Sequence, residues 1–172
     1  MVWREIRLCA VQAVGQTQTY YGVSCGDLGE VAAQGEHTAR QAGWASPSAI
    51  HAVGDGAEWI ARLAKQCFGT RGYFHLDLFH VSEYPAAAPV CAAHRYMDNR
   101  RDQLDYPRAL SRDLPLGSGL IESGHRHVLQ HRLKIAGEAW LRANSEAITH
   151  ARAVRANGGW PAYWTDLAQA RN

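Results

Sequence analysis

The N-terminal half of the chain alternates short runs typical of strands with longer stretches of helical periodicity. Residues 2–14 and 17–24 predict an antiparallel hairpin that turns at Gly15, because both runs are rich in strand-forming residues. Asp27 can cap a helix over residues 28–42. The elements predicted next are a strand over 49–53, a helix with an apolar stripe from Trp59 to Phe68, and a strand over 72–76. This order indicates an α/β protein whose strands end in polar residues.

The C-terminal half reads as helical. Residues 82–93 are short and rich in Ala and Pro, which favours a linker. Helices are predicted over 94–104, within Leu114–Lys134, and over 146–156 with Asn144 or Ser145 as its cap. A turn follows at 158–161, and Tyr163 with Trp164 is expected to pack the tail onto the body.

Charge is distributed unevenly along the 172 residues, although the formal net charge is only +2. Residues 1–93 carry six Lys/Arg and eight Asp/Glu, whereas residues 94–172 carry twelve and eight. The charge distribution therefore favours the C-terminal half as the part that meets a polyanion. Apolar residues make up 47% of the chain, so we expect a packed core and not wholesale disorder.

The cysteines and the N-terminus bear on where the protein works. Four cysteines lie far apart, without the paired spacing of a zinc site, and three of them, in apolar surroundings, are expected as buried thiols in a reducing compartment. No apolar run approaches the length that spans a membrane, and charged residues stand where a signal peptide would need its apolar core. We therefore expect a cytoplasmic protein without a membrane partner.

Glu122 is the acid near the start of the most basic stretch of the chain. The side chains that follow it are Arg126, His127, His131, Arg132 and Lys134. A carboxylate before a basic helix suits a metal ion that meets a phosphate backbone. It equally suits an ordinary helix in which Glu122 favours the positive end of the helix dipole and pairs with Arg126 four residues on.

Asp55 lies at the end of a predicted strand between two glycines. An acid there points into the crevice at the sheet edge, where α/β proteins bind ligands, and flanking glycines let a large ligand approach. The structural alternative is that Asp55 caps the next helix and that Glu58 completes a capping box.

Histidines suggest two further sites. His75, Asp77 and His80 end the second predicted parallel strand and would serve a metal-dependent hydrolase, although hydrogen-bonded strand-end groups explain them equally well. His127 and His131 have the spacing of a zinc-binding helix but lack the glutamate between them, so a phosphate-facing role beside Arg132 and Lys134 is favoured.

Six segments carry a resemblance to a known family. They are WREIRL (3–8), GDGAEWI (54–60), LDLFHVSEY (76–84), RYMDNRRDQLDYPRAL (95–110), LPLGSGLIESGHRHVLQHRLK (114–134) and ANGGWPAYW (156–164). In this order they resemble the DDE transposases of bacterial insertion sequences of the ISKra group. The resemblance implies a ribonuclease-H-like mixed sheet with flanking helices, in which three carboxylates bind two divalent metals.

By this resemblance Asp55 is the second catalytic acid and Glu122 the third, and both bind Mg²⁺ or Mn²⁺. The implied partners are DNA at the transposon ends and a second copy of the chain in a homodimer. Arg95, Arg100, Arg101, Arg126, Arg132 and Lys134 are the arginines and lysine expected to contact phosphates. The chemistry implied is transposition by metal-dependent phosphoryl transfer.

The resemblance also predicts how the chain is divided. The family's first aspartate lies on a strand upstream of the WRE motif, so we expect a chain without that strand and inactive as it stands. The predicted segments are a partial catalytic core (1–83), a shortened linker (84–94) and a helical part that completes the core (95–172). The alternatives are a DNA-binding remnant without catalysis and the hydrolase above.

Overall fold

The computed structural model describes residues 5–87 and 89–170, and the fold is mixed α/β. Contacts divide the chain into two compact units. The hairpin unit comprises Met1–Ala45 with Leu120–Asn172, and the parallel-strand unit comprises Ser46–Gly119. Residues 2–4, at the start of the first predicted strand, lie outside the described residues. Within the hairpin unit the C-terminal helix α8 contacts the hairpin. The predicted segments 1–83, 84–94 and 95–172 stay a prediction.

The hairpin unit is built on an antiparallel strand pair, as predicted. Arg7 pairs with Ser24 at one end and Gln12 with Thr19 at the other. The elements of this unit are β1 (Arg7–Gln12), β2 (Thr19–Ser24), α1 (Leu28–Gln41), α6 (Gly119–Gly124), a π-helical stretch (His125–Gln130), α7 (His131–Leu133), α8 (Arg142–Ala156) and α9 (Trp160–Gln169).

The core of the hairpin unit lies between the strands and the C-terminal helices. Val23, Val128, Leu129 and Ala153 are buried together, and Ile6, Leu8 and Tyr21 pack against them. This apolar burial is the main term that holds α8 and the π-helical stretch on the hairpin.

An asparagine side chain joins α8 to the sheet. Asn157, which ends α8, accepts from the backbone N–H of Tyr21 (2.7 Å) and donates to the Tyr21 carbonyl (2.9 Å). The Asn157 amide thus pairs with both backbone groups of one β2 residue, as a neighbouring strand would.

The parallel-strand unit contains the second sheet. Its elements are β3 (Ile50–Gly54), α2 (Glu58–Phe68), a 3₁₀ turn (Gly69–Arg71), β4 (Gly72–Leu76), α3 (Leu78–Ala87), α4 (Val90–Asp98), a 3₁₀ turn (Arg101–Gln103) and α5 (Tyr106–Leu110). Strands β3 and β4 are parallel, with Ile50 opposite Gly72 and Gly54 opposite Leu76. The strand–helix–strand order predicted over 49–76 is confirmed.

The described strands form two two-stranded sheets, in which hydrogen bonds join β1 to β2 and β3 to β4. The ribonuclease-H-like mixed sheet implied by the resemblance stays a prediction. One prediction about the fold needs correction: residues 82–93, predicted as a linker, lie largely in α3 and α4. Alanine is the strongest helix former, and Pro89 stands just before α4 with φ of −54°, which suits a helix start.

Among the described residues, no helix is both long enough and apolar enough to cross a membrane. None of the four cysteines forms a disulfide in the part of the chain that the structure describes.

Candidate active site

Asp55 stands exposed at the carboxyl end of β3, as the sequence predicted. The next residue, Gly56, has a φ of 85°, a conformation that a residue with a side chain rarely adopts. One carboxylate oxygen of Asp55, Oδ1, accepts from the backbone N–H of Ala57 at 3.1 Å. Within the described residues its other oxygen makes no hydrogen bond. Asp55 therefore presents a free carboxylate oxygen at the sheet edge.

The predicted capping role of Asp55 is wrong. Helix α2 begins at Glu58, its N-cap is Ala57, and the cap has no side-chain hydrogen bond. Gly56 turns the chain sharply, and the helix begins three residues beyond Asp55. Glu58 is then the first helical residue and not the third, so the capping box cannot form.

Arg100 supports the turn that carries Asp55. Its guanidinium donates to the Gly56 carbonyl at 3.3 Å and lies 4.1 Å from the centre of the Tyr96 ring. Arg101 pairs with Asp98 at 2.7 Å. The structure thus gives both arginines partners inside the protein, and their predicted DNA contacts stay predictions.

Asp77 ends the neighbouring strand and is 4% exposed. Its backbone N–H donates to the Gly54 carbonyl at 2.8 Å, which places Asp77 beside Asp55 at the same edge of the sheet. The Asp77 carboxylate accepts from the Phe79 N–H (2.8 Å), the His80 N–H (3.4 Å), and both the N–H (2.9 Å) and the hydroxyl of Ser118. Asp77 therefore fastens the loop before α6 to the sheet.

The pKa of Asp77 reflects these bonds. Burial raises the pKa of the carboxyl, but the hydrogen bonds from Ser118, Phe79 and His80 outweigh burial and leave the pKa below its ordinary value. Asp77 is consequently a charged structural acceptor.

The hydrolase alternative finds no support in this arrangement. His75 binds the Asp105 carbonyl, the Asp77 carboxylate is taken up by donors, and the His80 side chain is exposed on α3. In the described part of the chain, no three or more His, Cys, Asp or Glu side chains are arranged to hold a metal ion. That finding does not bear on a pair of ligands.

Glu122 lies in the first turn of α6 in the hairpin unit, and its side chain is exposed. Gly124 is buried on the other side, where an added Cβ would lie 2.6 Å from the Tyr21 ring and 2.9 Å from Leu8. This close approach fixes the helix on the hairpin and turns Glu122 away from it.

The predicted ion pair between Glu122 and Arg126 is absent from the described residues. The chain becomes π-helical at His125, and residues four apart no longer lie above one another in such a turn. Arg152 of α8 donates to the Val128 carbonyl at 2.7 Å and to the His127 carbonyl, so it occupies two backbone acceptors of this stretch.

The basic side chains behind Glu122 remain on the surface, namely Arg126, His127, His131, Arg132 and Lys134. Arg132 lies 3.8 Å from Glu138 and 4.8 Å from the centre of the Trp140 ring. In the structure as described, none of the other four makes an ion pair with an acid. The hairpin unit thus presents Glu122 and a set of cationic groups along one helical segment.

Sequence reasoning missed the structural partners of the site. Ser118 lies 41 positions from Asp77, and nothing local marks it as the donor. Arg100 was assigned only to DNA. The sequence did contain one signal for the turn at Asp55, namely the glycine that follows it, since an acid followed by glycine often marks a turn.

No protein-family model, curated protein or solved structure matches this chain.

Proposed function

We propose that this chain is part of the catalytic region of an insertion-sequence DDE transposase with a ribonuclease-H-like fold. The observation that carries the proposal is Asp55, an exposed acid at the carboxyl edge of parallel strands with one carboxylate oxygen free. Strand ends of this kind are where α/β proteins bind ligands. The order of the motifs along the chain supports the same family.

The carboxylates fit the divalent ion that this function needs. Mg²⁺ prefers oxygen ligands, keeps several waters and takes few groups from the protein. Asp55 and Glu122 are both exposed, and neither forms an ion pair among the described residues. Asp77 is a poor ligand by comparison, because both of its oxygens already accept hydrogen bonds.

The ion would supply the chemistry of phosphoryl transfer, where a metal activates the attacking oxygen and stabilises the leaving one. The chain's own residues position the acids. Gly56 and Arg100 shape the turn that presents Asp55. Gly124 lets the helix that carries Glu122 pack closely against the hairpin. Exposed cations such as Arg126 and Lys134 would contact phosphates.

Binding of Mn²⁺, followed by electron paramagnetic resonance, tests whether Asp55 and Glu122 bind a divalent ion. We expect Asp55→Asn and Glu122→Gln each to weaken binding by about tenfold, because an ion with few protein ligands depends heavily on each.

Glu58→Gln and Asp102→Asn, which remove exposed acids elsewhere in the parallel-strand unit, serve as controls. They should leave Mn²⁺ affinity unchanged. Equal losses in the controls would contradict metal binding by Asp55 and Glu122.

DNA binding is the second part of the proposal. It would hold equally for the alternative function, a DNA-binding protein without catalytic activity. It is supported by the exposed cations that follow Glu122. Replacing Arg126, Arg132 and Lys134 by Gln should weaken binding to duplex DNA and reduce the slope of log affinity against log salt by about two to three.

The matched control is the pair Arg62→Gln and Lys65→Gln on α2, which also removes exposed cations. Its slope should change little. An affinity of the unaltered chain that does not respond to salt would exclude phosphate contacts as the source of binding.

A further inference from the structure

Two histidines of the parallel strands lie side by side. His51 on β3 is opposite Tyr73, and His75 on β4 is opposite Val53. Because side chains alternate across a strand, this register puts His51 and His75 on the same face of the sheet. Their ring centroids are 4.7 Å apart, with an angle of 41° between the planes.

Each imidazole has one nitrogen tied to a backbone carbonyl. His51 Nε2 is 2.8 Å from the Pro115 oxygen, and His75 Nε2 is 3.1 Å from the Asp105 oxygen. A carbonyl oxygen can only accept, so each Nε2 carries the proton. In the neutral ring the other nitrogen, Nδ1, then bears a lone pair.

Neither of these lone pairs has a partner. His51 Nδ1 and His75 Nδ1 are both buried and make no hydrogen bond within the described residues. His75 is 5% exposed. Burying two acceptors without a donor costs free energy of desolvation. A ligand that binds to both nitrogens would offset this cost.

The chemistry of the pair indicates which ligand. Histidines that bind metals commonly donate the other ring N–H to a backbone carbonyl, which fixes the tautomer and the orientation of the ring. Imidazole nitrogens suit zinc, copper and nickel, whereas Mg²⁺ prefers oxygen. Both features are present here, and the donors are nitrogens.

We propose that His51 and His75 form a binding site for a transition-metal ion such as Zn²⁺, held by the two Nδ1 atoms with water completing its coordination. This ion is distinct from the Mg²⁺ of the proposed function. It uses different donor atoms, and a failure of either proposal leaves the other standing.

Zinc titration of the metal-stripped full chain tests the proposal. We expect one Zn²⁺ to bind through this pair and to raise the melting temperature of the protein. Mg²⁺ at the same concentration should not raise it. His51→Gln and His75→Gln should each weaken zinc binding by about tenfold or more. His150→Gln, an exposed histidine of the hairpin unit, should not.

Imidazole nitrogen NMR gives a readout that stability changes cannot imitate. Zinc should shift the Nδ1 signals of His51 and His75 while their Nε2 signals remain those of protonated nitrogen. If His75→Gln fails to fold, His51→Gln, at a half-buried position, still decides the question.

Three results would overturn the proposal. The first is zinc affinity unchanged in a folded His51→Gln variant. The second is loss of affinity on replacing His80 and not on replacing His51. The third is a folded wild-type chain that binds no zinc at micromolar concentration.

Discussion

Gly56→Ala is expected to destabilise the parallel-strand unit by about 3 kcal/mol, from backbone strain and overpacking together. At a φ of 85° any side chain is strained. The added Cβ would also clash with the Tyr96 hydroxyl and lie 2.7 Å from a methyl carbon of Leu76, which is almost fully buried. Urea denaturation of the wild type and the variant measures the difference.

Gly43→Ala separates the two causes. Gly43 has a similar φ of 92°, but nothing lies within 4 Å of an added Cβ. This variant should lose only the strain, about 1 kcal/mol. Equal losses in the two variants would show that the contacts of Gly56 with Tyr96 and Leu76 do not matter.

Asp77→Ala is the second substitution with a large expected effect, a loss of about 3 kcal/mol in the free energy of unfolding. It removes a buried carboxylate and leaves the Ser118 and Phe79 donors unsatisfied. Asp77→Asn keeps one acceptor oxygen and should cost less. The double-mutant cycle with Ser118→Ala measures the coupling of Asp77 to Ser118. Additive losses would contradict the bond.

The lowered pKa of Asp77 adds a pH dependence of stability. Because the folded state holds the carboxylate charged to a lower pH than the unfolded chain does, its contribution is complete above about pH 4 and is lost as the pH falls further. Melts between neutral and acid pH should show a steeper loss for the wild type than for Asp77→Asn. Parallel curves would contradict this role.

Helix capping was predictable from the sequence where a single side chain determines it. Asp27 caps α1 by accepting from the Glu30 N–H at 3.0 Å, as its position before an apolar-periodic stretch indicated. Asp55 precedes a helix in much the same way, yet it does not cap. The difference is the positive φ of Gly56, which a sequence permits but does not reveal.

The helical bounds were less predictable where tertiary contacts decide them. The π-helical stretch His125–Gln130 has an ordinary helical composition, and its carbonyl acceptors meet Arg152, some 25 positions away. The predicted Glu122–Arg126 pair assumed an unbroken α-helix and failed for that reason. The linker predicted over residues 82–93 was wrong for another reason. The prediction gave more weight to the prolines of this segment than to its helix-forming alanines.

In the candidate site, too, features set by neighbouring residues were predictable, and features set by contacts between distant residues were not. The exposure of Asp55 at a strand end followed from glycine flanks and strand order, both of which are local. The bonding of Asp77 by Ser118 and the tie of His51 to Pro115 join residues far apart in the chain. No spacing rule relates such pairs, so only the fold reveals them.

The attachment of Asn157 to Tyr21 also affects solubility. An unpaired strand border invites extended peptides from other molecules to add on, and this is a common first step toward aggregates. At Tyr21 both main-chain groups on that border are already occupied by the Asn157 amide. An intruding peptide would have to displace the end of α8 before it could pair there.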